Sequence, residues 1–188
     1  MENMDLLGVM GSPRKGGNTH LLLKEALEAA ESVGMETEMI FLGDLEIKEC
    51  DGCHACWRGE ECPKRDHMND IYRKLAECGG LLLGTPVYWF APSGLMKLFV
   101  DRLVYFNCKE NRVMVRGKRA SYLVPYQEGS HDTAWPVVDF FRRTLNYLEM
   151  EMVNGVLAPN VDKRGEVKNH PEVMERARNL GRMIVPRR

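Results

Sequence analysis

Short apolar runs alternate with amphipathic stretches along this chain, the arrangement of βα units that feed a parallel sheet. Leu6 to Met10 is the first buried-strand run and ends at Gly11-Ser12-Pro13. Thr19 then opens a helix on which Leu22, Leu23, Ala26, Leu27, Ala30 and Val33 recur at helical spacing, stopped by Gly34. Glu36 to Phe41 reads as the second strand, and Asn69 is placed to cap a short helix ending near Ala76. Leu81 to Leu83 centres the third strand, closed by Gly84-Thr85-Pro86. A helix is predicted from about Ser93 to Asn107, with Leu95, Leu98, Phe99, Leu103 and Phe106 inward. Ala120 to Val124 is the fourth strand, and Thr133 to Leu148 a helix with Val137, Phe141, Leu145 and Leu148 on one stripe. Met152 to Leu157 makes the fifth strand, and Pro171 to Ile184 the last helix, with Val173, Ala177, Leu180 and Ile184 as its inner face. Five strands alternating with helices predict an α/β, doubly wound parallel sheet. No repeat or linker interrupts it, so residues 1–188 read as one domain with an aperiodic insertion at about 43–68.

Composition narrows the function. Hydrophobic residues are 44% and charged residues 28% of 188, with a formal net charge of −1. That balance excludes a disordered chain and a nucleic-acid binder relying on a strong basic field. No apolar run reaches the roughly 18 residues of a membrane span. The start, Met1-Glu2-Asn3-Met4-Asp5, is acidic where a secretory leader is basic, which predicts a cytoplasmic protein. Four of the six cysteines fall between Cys50 and Cys62. In a cytosolic chain such crowding points to a metal or redox site rather than to disulfides.

In a doubly wound sheet, ligands bind beyond the carboxyl ends of the strands, where the strand order reverses. Three loops reach that edge. The first, Gly11-Ser12-Pro13-Arg14-Lys15-Gly16-Gly17-Asn18-Thr19, lies between a strand and a helix, so its amides and the helix N-terminus suit an anion. Arg14 adds a charge-assisted donor. Gly17-Asn18 stands where a Walker loop needs Lys-Ser or Lys-Thr, and Gly8-x-x-Gly11 lacks dinucleotide spacing, which disfavours ATP and the Rossmann NAD mode. A polar turn with a helix cap is the plainer reading. The second loop, Thr85 to Ser93, sets Tyr88-Trp89-Phe90 between Pro86 and Pro92. These rings suit a flat aromatic ligand, or packing beneath a loop or in a subunit interface. The third loop, Pro125 to Asp132, offers Tyr126-Gln127-Glu128-Gly129-Ser130 to the same crevice.

Gly11-Ser12-Pro13-Arg14-x-x-Gly17-Asn18-Thr19, Gly84-Thr85-Pro86-Val87-Tyr88 and Lys97-x-x-x-Asp101-Arg102 together resemble the NAD(P)H-dependent FMN reductase family of flavodoxin-like folds. The resemblance implies strand order 2-1-3-4-5 and FMN held non-covalently at the switch point. Ser12, Arg14, Asn18 and Thr19, on the loop that includes Gly17, would hold its phosphate. Pro86, Val87, Tyr88, Trp89 and Phe90 would line the isoalloxazine and ribityl chain, and Glu128 and Gly129 would close the far side. Family members are commonly homodimers or homotetramers, so the helix from Ser93 is expected to face a partner subunit.

Cys50-x2-Cys53-x2-Cys56-x5-Cys62-Pro63 is the strongest chemical signal. Its compact spacing is that of a ferredoxin-like [4Fe–4S] site. A zinc site, whose usual form is two separated Cys-x2-Cys pairs, and idle thiols are the alternatives. Gly52 and Gly59 would ease the backbone around the group. The motif resembles the iron–sulfur flavoprotein branch of the family. Cys78 and Cys108 read as small buried apolar residues, and His54 as a solvated loop residue rather than a ligand. Arg112, Arg116, Lys118 and Arg119 read as a solvated approach rather than a nicotinamide-phosphate site.

The reading is thus an electron-transfer oxidoreductase carrying FMN and [4Fe–4S] side by side at one sheet edge, with no protein general base or nucleophile. Its electron donor would be ferredoxin, NAD(P)H or another small molecule. The alternatives are an FMN or quinone reductase with idle cysteines and a flavodoxin-like electron carrier.

Overall fold

The computed structural model describes residues 4–184; Met1, Glu2 and Asn3 of the acidic start lie outside the described residues. In chain order the elements are β1 (Leu6–Met10), α1 (Asn18–Glu31), β2 (Thr37–Phe41), α2 (Met68–Glu77), β3 (Gly80–Gly84), β4 (Val87–Tyr88) and β5 (Ala91–Pro92). They continue with α3 (Gly94–Arg102), α4 (Lys109–Arg112), β6 (Arg119–Pro125), α5 (Trp135–Tyr147), β7 (Glu151–Met152), β8 (Val156–Ala158) and α6 (Pro171–Met183). β1 pairs in parallel with β2 and β3, and β3 with β6. Both β7 and β8 pair in parallel with β6. The order β2-β1-β3-β6-β7/β8 is the doubly wound order 2-1-3-4-5 with its fifth strand in two pieces.

Strand residues alternate between two cores, as a period of two requires. Leu7, Val9, Leu81, Leu83, Tyr122 and Val124 face a layer formed by α2, α3 and α5. Leu6, Met10, Leu82 and Leu123 face α1 and α6. Coverage on both faces is why these strands read as unbroken apolar runs. Phe99, Phe106 and Phe141 are fully buried in the first core, each stabilising the fold by about 2–3 kcal/mol.

Four elements depart from their sequence-predicted form, each for a physical reason. The fifth strand breaks between Met152 and Val156 because Gly155 lies against the carbonyl and ring of Tyr122, leaving no room for a Cβ. The helix expected to run to Asn107 ends at Arg102, and Leu103–Asn107 is a tighter 3-10 turn. Asp66, rather than Asn69, opens α2 by accepting the Met68 amide at 3.0 Å. Pro136 has no N–H and is tolerated only in a first helical turn, so α5 starts at Trp135. The inward side of α3, with Met96, Phe99 and Val100, packs in the chain's own core.

α1 and α6 approach closely at Gly181, where an added Cβ would overlap the Ala26 carbonyl. Gly181→Ala should therefore cost about 2 kcal/mol through overpacking. Its thermal midpoint should fall by several degrees; a midpoint equal to the parent's would contradict this packing.

Candidate functional site

β1 delivers Gly11 to the carboxyl edge of the sheet, and the chain turns there into α1. Gly17 precedes the first helical residue with extended backbone (φ −81°, ψ 177°). The first amides of α1 have no partner four residues back and carry the positive end of the helix dipole. The loop is held from within. Ser12 Oγ accepts the Arg14 amide at 3.2 Å, and His20 Nδ1 accepts the Gly16 amide at 2.7 Å. The Asn18 side chain donates to the Lys163 carbonyl at 3.0 Å and accepts the Val167 amide at 3.2 Å. It thus ties the segment after β8 to the loop as well as edging the cavity. Arg14 makes no ion pair among the described residues, whereas Arg164 donates to the Lys15 carbonyl and lies against Gly16.

The second loop is fixed by a buried hydroxyl network. The Ser93 amide donates to Thr85 Oγ1 at 3.0 Å, Ser93 Oγ donates to the Gly11 carbonyl, and the Met96 amide donates to Ser93 Oγ at 3.1 Å. This network joins the first loop, the second loop and the start of α3. Between its two ends β4 and β5 form a hairpin with Trp89 and Phe90 at the tip, at φ +51° and +62°. A two-residue turn with both central residues left-handed normally carries Asn-Gly. Bulky residues there cost on the order of 1–3 kcal/mol each, a strain typical of functional segments. Both rings are exposed, Trp89 at 94% and Phe90 at 58%.

Ser12, Arg14, Gly17, Asn18, Thr19, Pro86, Val87 and Tyr88 all line one cavity of about 230 Å³. Pro125, Tyr126, Gln127, Val161, Asp162 and Arg164 complete it. Trp89, Phe90, Glu128 and Gly129 lie outside this lining, exposed on the surface. The last wall, Val161 to Arg164, escaped the sequence reading. Its signal was positional: a Lys-Arg-Gly stretch following the final strand at the same sheet edge.

The cysteines converge elsewhere. Cys50, Cys53, Cys56 and Cys62, all free thiols, line a second cavity with Tyr72, Arg102, Val104 and Tyr105. The loop turns around it through left-handed backbone at Gly52, His54 and Gly59. Burial pushes the Cys56 thiol up, and its neighbours Cys62, Cys108 and Cys50 add to the effect. Among the described residues no three His, Cys, Asp or Glu side chains converge on a single ion. Four thiols spaced around a common cavity suit a wider, polynuclear group. Arg102 and Asp66 form an ion pair at 2.5 Å with side chains 1% and 0% exposed. Burial pushes the Asp66 carboxyl up, but hydrogen bonds from Arg102 and the amides of Lys48 and Met68 outweigh it and leave it below the usual carboxylate range. Cys78 and Cys108 are buried, and Cys108 lies close enough to Cys56 to influence it.

The two cavities share no lining residue. Ser93, at the start of α3, binds the first loop, while Arg102, at its end, faces Cys62. A nine-residue helix at 1.5 Å per residue is about 13 Å long. The cysteine cavity is thus separate from the cavity at the carboxyl edge of the sheet and lies at the end of α3, whereas the sequence reading put the two side by side.

The family of NADPH-dependent FMN reductases matches residues 4–161. This chain belongs to that family. An iron-sulfur flavoprotein of Methanocaldococcus jannaschii is 43% identical over 99 residues, 53% of this chain and 51% of that protein. An iron-sulfur flavoprotein of Archaeoglobus fulgidus is 34% identical over 123 residues, 65% of this chain and 54% of that protein. The chain is thus similar to iron–sulfur flavoproteins, and spans only about half their length. An NAD(P)H:quinone oxidoreductase from Methanothermobacter marburgensis superposes with a TM-score of 0.80 at 14% identity, covering 99% of this chain and 98% of that one, which establishes the flavodoxin-like fold.

Against this family background, several other groups prove to be engaged in structure. Arg112 and Arg116 pair with Glu149, and Arg119 with Glu151. Lys118 donates to the carbonyls of Leu75 and Ala76 at the end of α2, so the basic group is spent within the fold. His54 packs against Trp57 at 4.3 Å on the loop surface. No helix among the described residues is long and apolar enough to cross a membrane.

The Gly16–His20 bond requires a neutral ring. Burial, then Lys24 and Lys15, hold the His20 pKa below its ordinary 6.5. The unfolded chain is therefore protonated first, so this stability is complete above pH 6.5 and is lost as pH falls through the folded value. His20→Asn keeps an acceptor near the Nδ1 position without titrating. It should flatten the dependence of thermal midpoint on pH below 6.5; a slope equal to the parent's would show that His20 does not clamp the loop.

Proposed function

We propose that residues 1–188 form one flavodoxin-like FMN domain whose insertion at 43–68 holds a [4Fe–4S] cluster on Cys50, Cys53, Cys56 and Cys62, making the protein an FMN-dependent electron-transfer oxidoreductase. The reading is carried by the convergence of four free thiols on one cavity in a chain of the FMN reductase family. FMN supplies two-electron and one-electron transfer when bound, and the cluster supplies one-electron transfer.

The chain's residues account for how such groups are held. The amides of α1, with Ser12 and Thr19, receive the phosphate, and Arg14 and Arg164 neutralise it. A cavity of about 230 Å³ is small for a whole flavin, so it takes the phosphate and ribityl end. The Pro86–Phe90 hairpin, with Glu128 and Gly129 opposite, would then receive the ring at the rim. The strained, exposed Trp89 and Phe90 are what a flat ring or a second subunit would cover, which supports a homodimer or homotetramer. No side chain acts as general base or nucleophile. The family name supports a nicotinamide donor, with ferredoxin or another small donor as the remaining possibilities. Six free cysteines fit a reducing, cytoplasmic setting. A reductase with idle cysteines is the second reading, supported by the match of the chain to the FMN reductase family over residues 4–161, which does not of itself require a cluster.

Anaerobically prepared protein should contain about four iron and four sulfide per chain. Cys53→Ala should lose both while keeping bound FMN; iron-free parent protein that still reduces acceptors with NADPH would leave the second reading. Arg14→Ala should weaken FMN binding roughly tenfold or more, the scale of a lost charge-assisted hydrogen bond. Fluorescence titration measures this, and an unchanged dissociation constant would remove Arg14 from the phosphate site.

A further inference from the structure

Arg102 is the buried cation of this fold, and the flavin cavity gives it no task. It closes the Lys97-x-x-x-Asp101-Arg102 stretch, yet its side chain is 1% exposed. A buried charge persists when its donors all find partners. Nε donates to Tyr72 Oη at 3.2 Å, and Nη1 to the Lys48 carbonyl at 2.7 Å and Asp66 Oδ2 at 2.5 Å. Nη2 donates to Asp66 Oδ1 and to Cys62 Sγ, each at 3.3 Å. The ion pair accounts for the two Asp66 contacts, and Tyr72 and the Lys48 carbonyl are ordinary oxygen acceptors; the Cys62 sulfur is the unusual partner. A neutral thiol is a weak acceptor, whereas a metal-bound thiolate sulfur carries charge and accepts well.

The other cations of the cysteine loop are engaged differently. Lys64 pairs with Asp51 at 2.9 Å. Arg58 pairs with Glu60 and donates to the Cys53 carbonyl, not to a sulfur. Among the described residues, Arg102 is the cation whose N–H reaches a motif sulfur. It cannot swing away, because Asp66 grips the fork on one side and Tyr72, stacked on Tyr105 at 4.1 Å, blocks the other.

We propose that Arg102 is a positioning residue of the iron–sulfur site, fixing Cys62 through an Nη2–H···Sγ bond and making the cluster easier to reduce. The proposal rests on the cluster reading above. Uptake of one electron, from dithionite in the test, adds one negative charge shared among iron, sulfide and the cysteine sulfurs. A donor aimed at one of those sulfurs binds the reduced form more strongly than the oxidised form. Asp66 offsets part of the guanidinium charge but fixes its direction, so the effect comes from a held donor rather than a mobile counter-ion.

The test is an anaerobic dithionite titration followed by electron paramagnetic resonance, on the parent and on the double variant Arg102→Met/Asp66→Asn. The double change strands neither charge. Iron and sulfide should be retained, and reduction of the cluster should become roughly tenfold less favourable, about 59 mV for a one-electron couple. The flavin midpoint should not move, since the two cavities share no residue. An unchanged cluster midpoint alongside a lowered melting temperature would make Arg102 a scaffold residue only and overturn the proposal. Arg102→Lys carries the test if the double variant fails to fold: it keeps the ion pair but lacks the second donor arm. The same downward shift is expected there, and none would overturn the proposal. Parent protein without iron or sulfide would instead overturn the cluster reading itself, a result distinct from an unmoved midpoint.

Discussion

The parallel pairing of β1 with β2 and β3 is the constraint on which the rest depends. Leu6 to Met10 are all fully covered, so helices must lie on both faces of the sheet. Parallel neighbours also need crossovers, which bring every strand's carboxyl end to one edge. That edge gathers Gly11, Pro86 and Pro125, three segments far apart in sequence. The Thr85–Ser93–Gly11 hydroxyl network then locks two of the three loops together, so the cavity has a fixed floor before any ligand enters it.

A second constraint governs the insertion. Between Gly43 and Met68 there is little regular structure and few apolar side chains, so packing alone would not settle its path. The buried ion pair does. Asp66 opens α2 and grips Arg102 at the end of α3, while Arg102 also holds the Lys48 carbonyl and the Cys62 sulfur. Three points of the loop are thus fixed to one guanidinium. Removing one partner of such a pair leaves an uncompensated buried charge, commonly a loss of about 3–5 kcal/mol.

The helices and strands were legible because their periodicities of 3.6 and 2 match buried faces that the structure contains. The motif residues of the first loop were legible because strand–glycine–helix patterns imply a fixed geometry at the sheet edge. Arg164 and Asp162 were not, since nothing local marks a polar stretch after the last strand as part of a site built by residues 150 positions earlier. Asn18 was legible as a polar donor, but not as the tether that holds Lys163 and Val167 in place. The break in the fifth strand was hidden for a similar reason: it depends on where Tyr122 lies against Gly155, which local sequence does not show.

By itself, then, the sequence determined the alternation of strands and helices of a doubly wound sheet, the anion-suited first loop and a four-thiol segment, because each is encoded in local spacing and residue type, while the strand order came from the family resemblance. Only the tertiary structure decided that the aromatic tip is strained and exposed, that the basic group near Arg116 is spent on Glu149 and Glu151, and that the cysteines line a cavity separate from the one at the carboxyl edge of the sheet. It also gave Arg102 its sulfur partner. These outcomes depend on which side chains meet across long loops, and a buried charge must find all its partners in space, wherever in the chain they happen to be.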